Sequence, residues 1–300
     1  MSIFKYKVIY IYFNGGALGR TRFLWSIEPL LYKLAGVKIV VMAYGGDVQD
    51  MSRSPNLLFK HVMGIDYPLH GRLRQKIARK IDLWTRYADH VISGCEWVDY
   101  MYHWDTLMLA HFSIDTERWR PIPTPEIETG SKTFKILHAP NHRAIKGTRY
   151  FIDAVEQLQA EGFNVELILM EKVPNQEIQK MMATVDVVAD QLVVGWYAMF
   201  ALEAMAMEKP VLCYLRDDLK ELYITAGLVK PDEIPIINCA PLTVKEQIRN
   251  LINHPERLSA IKKRSREFVL THHSLESIGK VFSSINRSIE IFPSLSPPNL

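Results

Sequence analysis

The sequence predicts an α/β protein with two doubly wound domains, each built on a parallel sheet with helices on both faces. Three observations predict this fold class. Short, β-rich apolar runs alternate with helical patterns, the alternation occurs in both halves of the chain, and a proline-rich polar segment separates the halves. The chain has 300 residues, 48% of them hydrophobic, which is enough to bury two cores.

The first half contains four apolar runs with strand character and two segments with helical periodicity. The predicted strands are 7–13, 37–44, 90–93 and 106–110. The predicted helices are 23–33 and 73–88. Segment 120–133 then contains prolines and polar residues without a hydrophobic period, which predicts a linker. We therefore expect an N-terminal domain over 1–122.

The second half repeats the alternation, with a C-terminal domain expected over 123–273. Its predicted strands are 133–139, 164–171, 185–189 and 210–215. Its predicted helices are 150–161, 175–183, 197–207, 218–226, 244–253 and 255–270. A last helix, 274–291, and a proline-rich tail make up 274–300. Ligands of open parallel sheets bind beyond the carboxyl ends of the strands, so residues that directly follow strands are the candidates for a site.

Composition excludes several classes of protein. The net charge of +3 is too small to predict nucleic-acid binding. No apolar run is long enough to span a membrane. The three cysteines, Cys95, Cys213 and Cys239, are not spaced like metal ligands, so we expect no metal site. They are also too few and odd in number for a disulfide framework, so we expect a cytoplasmic location.

The segment HAPNHRAIKGT, 138–148, follows a predicted strand and precedes a helix. It places His142, Arg143 and Lys146 beside Gly147 where a helix begins. Helix N-termini attract anions, and fixed cations add to that attraction, so this loop is a candidate diphosphate site. The alternative is an ordinary solvated basic loop.

A second segment, 190–211, combines polar loop residues with a helix that is apolar nearly all round. Asp190, Gln191 and Gly195 lie in the loop, and Glu203 lies in the helix. A glutamate in a buried helix is costly without a partner. A pair of sugar hydroxyls is one suitable partner, and an internal ion pair is the other.

In order and spacing, these segments resemble the retaining GT-B glycosyltransferases of family 4. That family has a basic loop ending in Lys-Gly, then Glu-Gly-Phe-Gly, four residues, and Glu-Ala-Met-Ala-x-Gly-Lys-Pro-Val. This chain has IKGT at 145–148 and GWYAMFALEAMAMEKPV at 195–211, and 112–121 is similar to the family's interdomain signature. The resemblance implies two Rossmann-like domains, an acceptor-side one and a nucleotide-sugar-binding one, with 274–300 as a crossover helix and tail.

The implied reaction transfers a hexosyl group from a nucleotide-diphosphate sugar to a glycan or lipid-linked acceptor, with retention of configuration and without a metal cofactor. Lys146 matches the family's diphosphate-binding lysine, and Asn141 or Arg143 lies near its arginine. Glu203 matches the glutamate that holds the donor ribose. The backbone amides expected to face the diphosphate are those of Trp196 and Tyr197.

The chain departs from the family pattern at several positions. The first glutamate of the family's pair, which contacts the transferred sugar, falls on Gly195, and we expect Asp190 and Gln191 to substitute for it. In the N-terminal domain, YGGD (44–47) resembles a His-Gly-x-Asp element, with Tyr44 in place of the histidine and Asp47 retained as a catalytic candidate.

The spacing from Asp47 to Ala88 implies that the chain begins in the middle of the N-terminal domain, which is therefore short. A competing alignment treats 7–20 as the domain's first strand and glycine-rich loop. Alternative functions are a non-catalytic or truncated sugar-nucleotide-binding module and another GT-B enzyme, such as a sugar-nucleotide epimerase. Segment 71–86 has six basic residues among apolar ones. It is either an ordinary amphipathic surface helix or a peripheral contact with the inner face of a membrane.

Overall fold

The computed structural model describes residues 5–122 and 133–290 and divides the chain into two compact units. The first unit comprises Met1–Pro55, Leu69–His111 and Ile278–Leu300. The second comprises Asn56–Pro68 and Phe112–Ser277. Most of the predicted linker and the proline-rich tail lie outside the described residues. A piece of the N-terminal half, Asn56–Pro68, thus belongs to the same unit as the C-terminal half.

The first unit contains a parallel sheet of four strands in sequential order, β1 (Val8–Tyr12), β2 (Lys38–Met42), β3 (His90–Gly94) and β4 (Thr106–Met108). The helices from this part of the chain are α1 (Glu28–Leu34), α2 (Leu57–Asp66) and α3 (Arg74–Tyr87). Of these, α1 and α3 pack on β2 within the first unit, whereas α2 lies in the second. The strand order runs in one direction throughout, as in one half of a doubly wound sheet.

The two faces of the first sheet are covered by different parts of the chain. Right-handed crossovers between sequential parallel strands put their helices on a single face. Side chains that alternate along the strands point to the other face, where Val40 and Ile92 pack with Ile278 and Ile285 of a C-terminal helix, Leu275–Ser288. The Tyr10 hydroxyl, on the same face, donates to Asn286 Oδ1 at 2.8 Å.

The second unit contains a five-stranded parallel sheet in the order β6-β5-β7-β8-β9. Its strands are β5 (Phe134–His138), β6 (Val165–Leu169), β7 (Val187–Ala189), β8 (Val211–Cys213) and β9 (Ile236–Asn238). Its remaining helices are α4 (Arg143–Lys146), α5 (Thr148–Ala160), α6 (Asn175–Thr184), α7 (Met199–Ala206), α8 (Asp217–Thr225), α9 (Val244–Asn253) and α10 (Glu256–His272). The C-terminal helix that packs on the first sheet, Leu275–Ser288, is α11. The chain reverses its direction across the sheet between β5 and β7, which makes that position a topological switch point.

The predicted fold class is confirmed, since both sheets are parallel and both units are α/β. Every predicted strand and helix is present. Three of the elements given above were not predicted: α2, the short helix α4 and β9. The helix expected from residue 197 begins at Met199, so Trp196 and Tyr197 lie before it rather than in its first turn.

Candidate functional site

The carboxyl ends of β5, β7 and β8 lie side by side in the second unit, and the loops that follow them carry most of the predicted site residues. These loops are 139–142, 190–198 and 214–216. The first two flank the switch point, which is where open α/β sheets leave a crevice for ligands.

A buried histidine, His138, joins the ends of the two central strands. Its Nδ1 lies 2.8 Å from the carbonyl oxygen of Ala189, and its Nε2 lies 2.9 Å from Oγ1 of Thr148. Because a carbonyl only accepts, Nδ1 carries the proton and Nε2 accepts from the threonine hydroxyl. Burial lowers the pKa of His138 to about 4, so the ring is neutral near pH 7. It therefore holds the beginning of α5 against β5 and β7.

An ion pair spans the switch point. Lys146 Nζ donates to Asp190 Oδ1 at 2.7 Å, with the side chains 13% and 0% exposed. The other oxygen, Oδ2, accepts from the backbone N–H of Ala198 at 3.2 Å. Gln191 is also buried and donates through Nε2 to the carbonyl oxygen of Trp196. Both residues expected to contact the transferred sugar thus point into the loop and hold its shape.

Gly195 has a conformation and a neighbour that exclude any side chain. Its φ is +99°, a region that L-residues rarely adopt. A Cβ there would lie 2.6 Å from both Cγ and Cδ of Arg216. Arg216 is 6% exposed and its side chain packs against Gly195. Its guanidinium forms an ion pair with Asp218, with Nη2 2.5 Å from Oδ2. The glutamate of the family pattern has no room here, because an arginine stem occupies the space.

Glu203 lies on α7, is partly buried and is the predicted donor-binding carboxylate. It makes no hydrogen bond to a described residue. Burial raises its pKa to about 7, while the charge of Arg118 lowers it and that of Asp190 raises it. The charge that raises its pKa further thus belongs to Asp190, a member of the ion pair at the switch point.

The two aromatic residues before α7 are core residues. Trp196 and Tyr197 are 0% and 2% exposed and stack with ring centroids 5.2 Å apart. The Tyr197 hydroxyl lies 2.9 Å from Nε2 of His273. Burial lowers the pKa of His273 to about 3, so its ring is neutral as well. Because α7 begins at Met199, the residue at its N-terminus is Ala198. The backbone N–H groups of Trp196 and Tyr197 therefore lie farther from the helix than that of Ala198.

The segment Asn56–Pro68 contacts the loops of this site within the second unit, which the sequence did not predict. Asp66 Oδ2 accepts from the backbone N–H of Ile145 at 2.8 Å. The Tyr67 hydroxyl lies 2.6 Å from Nε2 of His142. A third contact comes from the side-chain amide of Asn56, which donates to the carbonyl oxygen of Val193 at 2.7 Å. The segment therefore holds both loops that flank the switch point.

Two other predicted donor-binding residues lie at the surface. Arg143 is exposed, and its guanidinium forms a two-point ion pair with Glu171, through Nε at 2.7 Å and through Nη2. That pair lowers the pKa of the Glu171 carboxyl. Asn141 is exposed beside it. Neither side chain forms a hydrogen bond or an ion pair with Lys146 or Asp190.

Asp47, the catalytic candidate of the N-terminal half, lies in the first unit and is 1% exposed. Its Oδ1 accepts from the backbone N–H groups of Tyr44 and Gly45, both at 3.0 Å, and its Oδ2 accepts from that of Phe13 at 3.1 Å. Burial raises its pKa to about 6 against the effect of these hydrogen bonds. Asp47 thus ties the loop after β2 to the end of β1.

The second unit also has a cavity of about 460 Å³ beside α8 and β9, whose lining includes Lys220, Lys230 and Asn238. None of the predicted donor-binding residues lines it. Among residues 5–122 and 133–290, no group of three His, Cys, Asp or Glu side chains is placed to hold a metal ion. In the same residues, no helix is both long enough and apolar enough to cross a membrane.

Comparison with known proteins gives similarity of structure alone. No protein-family model matches the sequence, and no curated protein matches it. Among solved structures, the chain is similar to a sucrose-phosphate synthase from Thermosynechococcus elongatus, with a TM-score of 0.59 and 12% identity over 95% of this chain and 74% of that one.

Two further structures are similar over most of the chain. One is a TarM variant from S. aureus in complex with fondaparinux, alpha-GlcNAc-glycerol and UDP, with a TM-score of 0.53 and 12% identity over 83% of this chain and 51% of that one. The other is the GtfA/B complex, with a TM-score of 0.55 and 8% identity over 95% and 57%. At these identities the similarity shows the fold, the two-unit GT-B architecture that the sequence predicted.

Proposed function

We propose that the chain is a glycosyltransferase that binds a nucleotide-diphosphate sugar at the carboxyl ends of β5, β7 and β8. The observation that carries this proposal is Glu203. A mostly buried carboxyl that makes no hydrogen bond to the described protein costs free energy, and it is kept where a ligand supplies the missing donors. Two neighbouring hydroxyls of a ribose are donors of the required kind.

The cations on the loops beyond β5 and β8 suit the other part of such a donor. Lys146 and Arg216 are cations on the loops beyond β5 and β8, and both are held by neighbouring groups, Asp190 and Asp218. Fixed cations stabilise the negative charge that develops on a departing diphosphate, and they need no reorganisation during the reaction. In this proposal the two cations, and no metal ion, stabilise the charge of the departing diphosphate.

The fold supports the same proposal. One of the similar solved structures, TarM, is of a complex that contains UDP and a glycosylated glycerol. We extend this to a hexosyl donor and to a glycan or lipid-linked acceptor, with retention of configuration, because the family resemblance of 138–148 and 195–211 implies them. Asn141 and Arg143, at the outer end of the loop after β5, would meet the donor's phosphates or sugar at the surface.

A binding experiment tests the donor site. UDP-glucose, UDP-N-acetylglucosamine, GDP-mannose and ADP-glucose are titrated into the full chain by calorimetry, and melting temperatures are measured at saturating ligand. One of them should raise the melting temperature, since a ligand at 100 times its Kd stabilises the folded state by about 2.7 kcal/mol. Glu203→Gln should weaken that binding at least tenfold, whereas the exposed Glu156→Gln on α5 should leave it unchanged.

The absence of binding by the folded chain, or equal binding by Glu203→Gln, would contradict the proposal. Because Glu203 makes no hydrogen bond within the described protein, Glu203→Gln should fold, and a melting curve of the free variant checks this. The comparison with Glu156→Gln then separates a local effect from a general loss of charge.

A second candidate function is sugar-nucleotide binding without transfer. It is favoured by the site itself, because Gly195 offers no side chain and both Asp190 and Gln191 are buried and used internally. Release of nucleoside diphosphate distinguishes the candidates when the chain is incubated with the bound donor and a panel of acceptors. Binding without release, in the presence of acceptors, would favour the second candidate. Epimerisation would instead appear as an isomerised nucleotide sugar.

A further inference from the structure

A basic pocket lies in the first unit, outside the proposed donor site. Its volume is about 600 Å³. The lining residues that matter here are three cations and two aromatic rings: Arg20, Lys76, Lys80, Tyr12 and Tyr44. No carboxylate is part of the lining. The pocket thus combines an excess of positive charge with half-exposed aromatic surface.

The positive charge is not neutralised within the pocket. Lys80 is 5% exposed, and its Nζ donates to neutral oxygens, the carbonyl of Asn14 at 2.9 Å and that of Gly19 at 3.4 Å. Burial, and then the charge of Lys76, lower the pKa of Lys80, while the charges of Asp47 and Glu28 raise it. Arg20 and Lys76 are exposed and form no ion pair with a described residue. An anion in the pocket would therefore meet two uncompensated cations and a third beneath them.

The nearest buried carboxylates, Glu28 and Asp47, accept hydrogen bonds from the backbone and form no ion pair with the cations of the pocket. Glu28 is 2% exposed and accepts from the backbone N–H groups of Gly16 and Leu18, both at 3.0 Å, and from the Tyr32 hydroxyl at 3.1 Å. Asp47 likewise accepts hydrogen bonds from backbone N–H groups of the loops after β1 and β2. These carboxylates shape the walls of the pocket and do not reach its surface.

The glycine-rich loop that forms one wall is tightly packed. A Cβ at Gly16 would lie 2.8 Å from Glu28 Oε1, and one at Gly19 would lie 2.3 Å from the carbonyl oxygen of Asn14. Gly15 has a φ of +85°. The loop can take this shape only with glycine at these positions, so the wall is formed before any ligand binds, which lowers the entropic cost of binding.

The aromatic rings make the pocket suitable for more than a bare anion. Tyr12 and Tyr44 are 40% and 49% exposed and pack edge to face, with centroids 4.9 Å apart. The Tyr44 hydroxyl accepts from Asn14 Nδ2 at 3.0 Å, so the ring has a fixed position. Such a ring offers an apolar face and a polar edge, which match the C–H face and the hydroxyls of a sugar ring.

We propose that this pocket binds a saccharide that carries a phosphate or a carboxylate. The anionic group lies on Arg20 and Lys76, and the sugar ring lies against Tyr44 and Tyr12. Binding of this saccharide does not depend on the proposed function, whereas its role as the acceptor of sugar transfer does. Two cations of the basic segment 71–86, Lys76 and Lys80, thereby belong to a pocket for a small anionic ligand.

The apolar residues of the same segment support this assignment over a membrane contact. Ile77, Ile81 and Trp84 of α3 are buried in the first unit, with at most 6% exposure. A helix that binds a membrane surface needs an exposed apolar face beside its cations. The exposed face of α3 from Arg74 onwards is polar and basic, and Leu73, just before it, is the exposed apolar residue of the segment.

Calorimetric titration of the full chain tests the proposal. The probes are glucose 1-phosphate, glucose 6-phosphate, glucuronate, inorganic phosphate and neutral glucose. An anionic saccharide should bind at least tenfold more tightly than glucose and than inorganic phosphate. The double variant Arg20→Ala/Lys76→Ala should weaken that binding at least tenfold. Arg79→Ala, which removes an exposed cation of α3 outside the pocket, should leave it unchanged.

A second variant separates recognition of the sugar from recognition of charge. Tyr44→Leu should weaken binding of the anionic saccharide at least fivefold and leave that of inorganic phosphate unchanged. Failure of every anionic saccharide to bind, or equal binding by the double variant, would overturn the proposal. Binding to phosphatidylglycerol vesicles that the double variant loses, without saccharide binding, would overturn it in favour of a membrane contact. The nucleotide-sugar titration with Glu203→Gln involves the other unit, so the two proposals fail separately.

Discussion

Adding one methyl group at Gly195 should destabilise the second unit more than the same change at Gly162, another glycine with a similar positive φ. Gly195 and Gly162 have φ values of +99° and +91°. A Cβ at Gly162 would contact nothing within 4 Å, whereas a Cβ at Gly195 would lie 2.6 Å from Cγ and Cδ of Arg216. The two substitutions therefore share the backbone strain and differ in the steric clash.

The expected magnitudes follow from these two contributions. The left-handed conformation costs a non-glycine residue about 1–3 kcal/mol, which is the whole expected effect of Gly162→Ala. Overpacking of a filled site adds about 1–3 kcal/mol, so Gly195→Ala should cost about 2–6 kcal/mol in free energy of unfolding. Gly195→Glu, which restores the family's residue, should cost at least as much and should not improve activity.

Urea denaturation followed by circular dichroism measures these differences, and a double-mutant cycle with Arg216→Ala isolates the clash. Gly195→Ala should cost at least 1 kcal/mol less in the Arg216→Ala background than in the wild type, because the arginine stem is then absent. A Gly195→Ala variant no less stable than Gly162→Ala would contradict a clash with Arg216, and so would simple additivity of the effects of Gly195→Ala and Arg216→Ala.

Three further predictions concern charges and caps of the same unit. The pKa of Glu203, raised from 4.5 to about 7, means that the folded state disfavours its charged form increasingly as pH rises between these values. Glu203→Gln should therefore match the wild type in stability at pH 4 and exceed it by about 1–2 kcal/mol at pH 8.5, after allowance for partial exposure, and a difference in melting temperature that is independent of pH would contradict this. Lys146→Met leaves the Asp190 carboxylate buried without its cation and should cost about 3–5 kcal/mol, of which Lys146→Met/Asp190→Asn should recover at least 1 kcal/mol in urea denaturation; no recovery would exclude the ion pair as the cause. Asp66→Ala removes the acceptor of the Ile145 N–H and should cost about 1 kcal/mol and speed hydrogen exchange of that amide, whereas Asp66→Asn should keep most of the protection; unchanged exchange in Asp66→Ala would show that the contact is not maintained.

The elements of the fold were readable from the sequence where local patterns and burial agree. The strands of both sheets are short apolar runs bounded by turn residues, and the apolar helix at 199–206 is buried as its composition predicts. Two of the unpredicted elements, α2 and β9, lack such signals. The sequence of α2, LLFKHVMGID, contains a glycine and mixed polar residues, and its beginning is set by Asn56, whose side chain accepts from the backbone N–H of Phe59. Strand β9 has only three residues.

Within the candidate site, the loops that the sequence selects lie at adjacent strand ends in the structure, but the directions of their side chains were not predicted. Asp190 and Gln191 were expected to face the transferred sugar, and both instead bond to groups of their own unit. The sequence analysis did not select Arg216, although this residue fills the space beside Gly195. Its signal was its position in the loop after β8, since residues that follow strands are the candidates for a site.

The sequence alone determined the α/β class, the repeated alternation of strands and helices, and the loops that follow β5 and β7, because these depend on periodicity and on neighbours along the chain. Tertiary structure decided what no spacing encodes. It assigned Asn56–Pro68 to the second unit, paired Lys146 with Asp190 and placed the Arg216 stem over Gly195. These contacts join residues far apart in the chain, and each depends on which buried polar group finds a partner and which space a side chain fills once the sheets have formed.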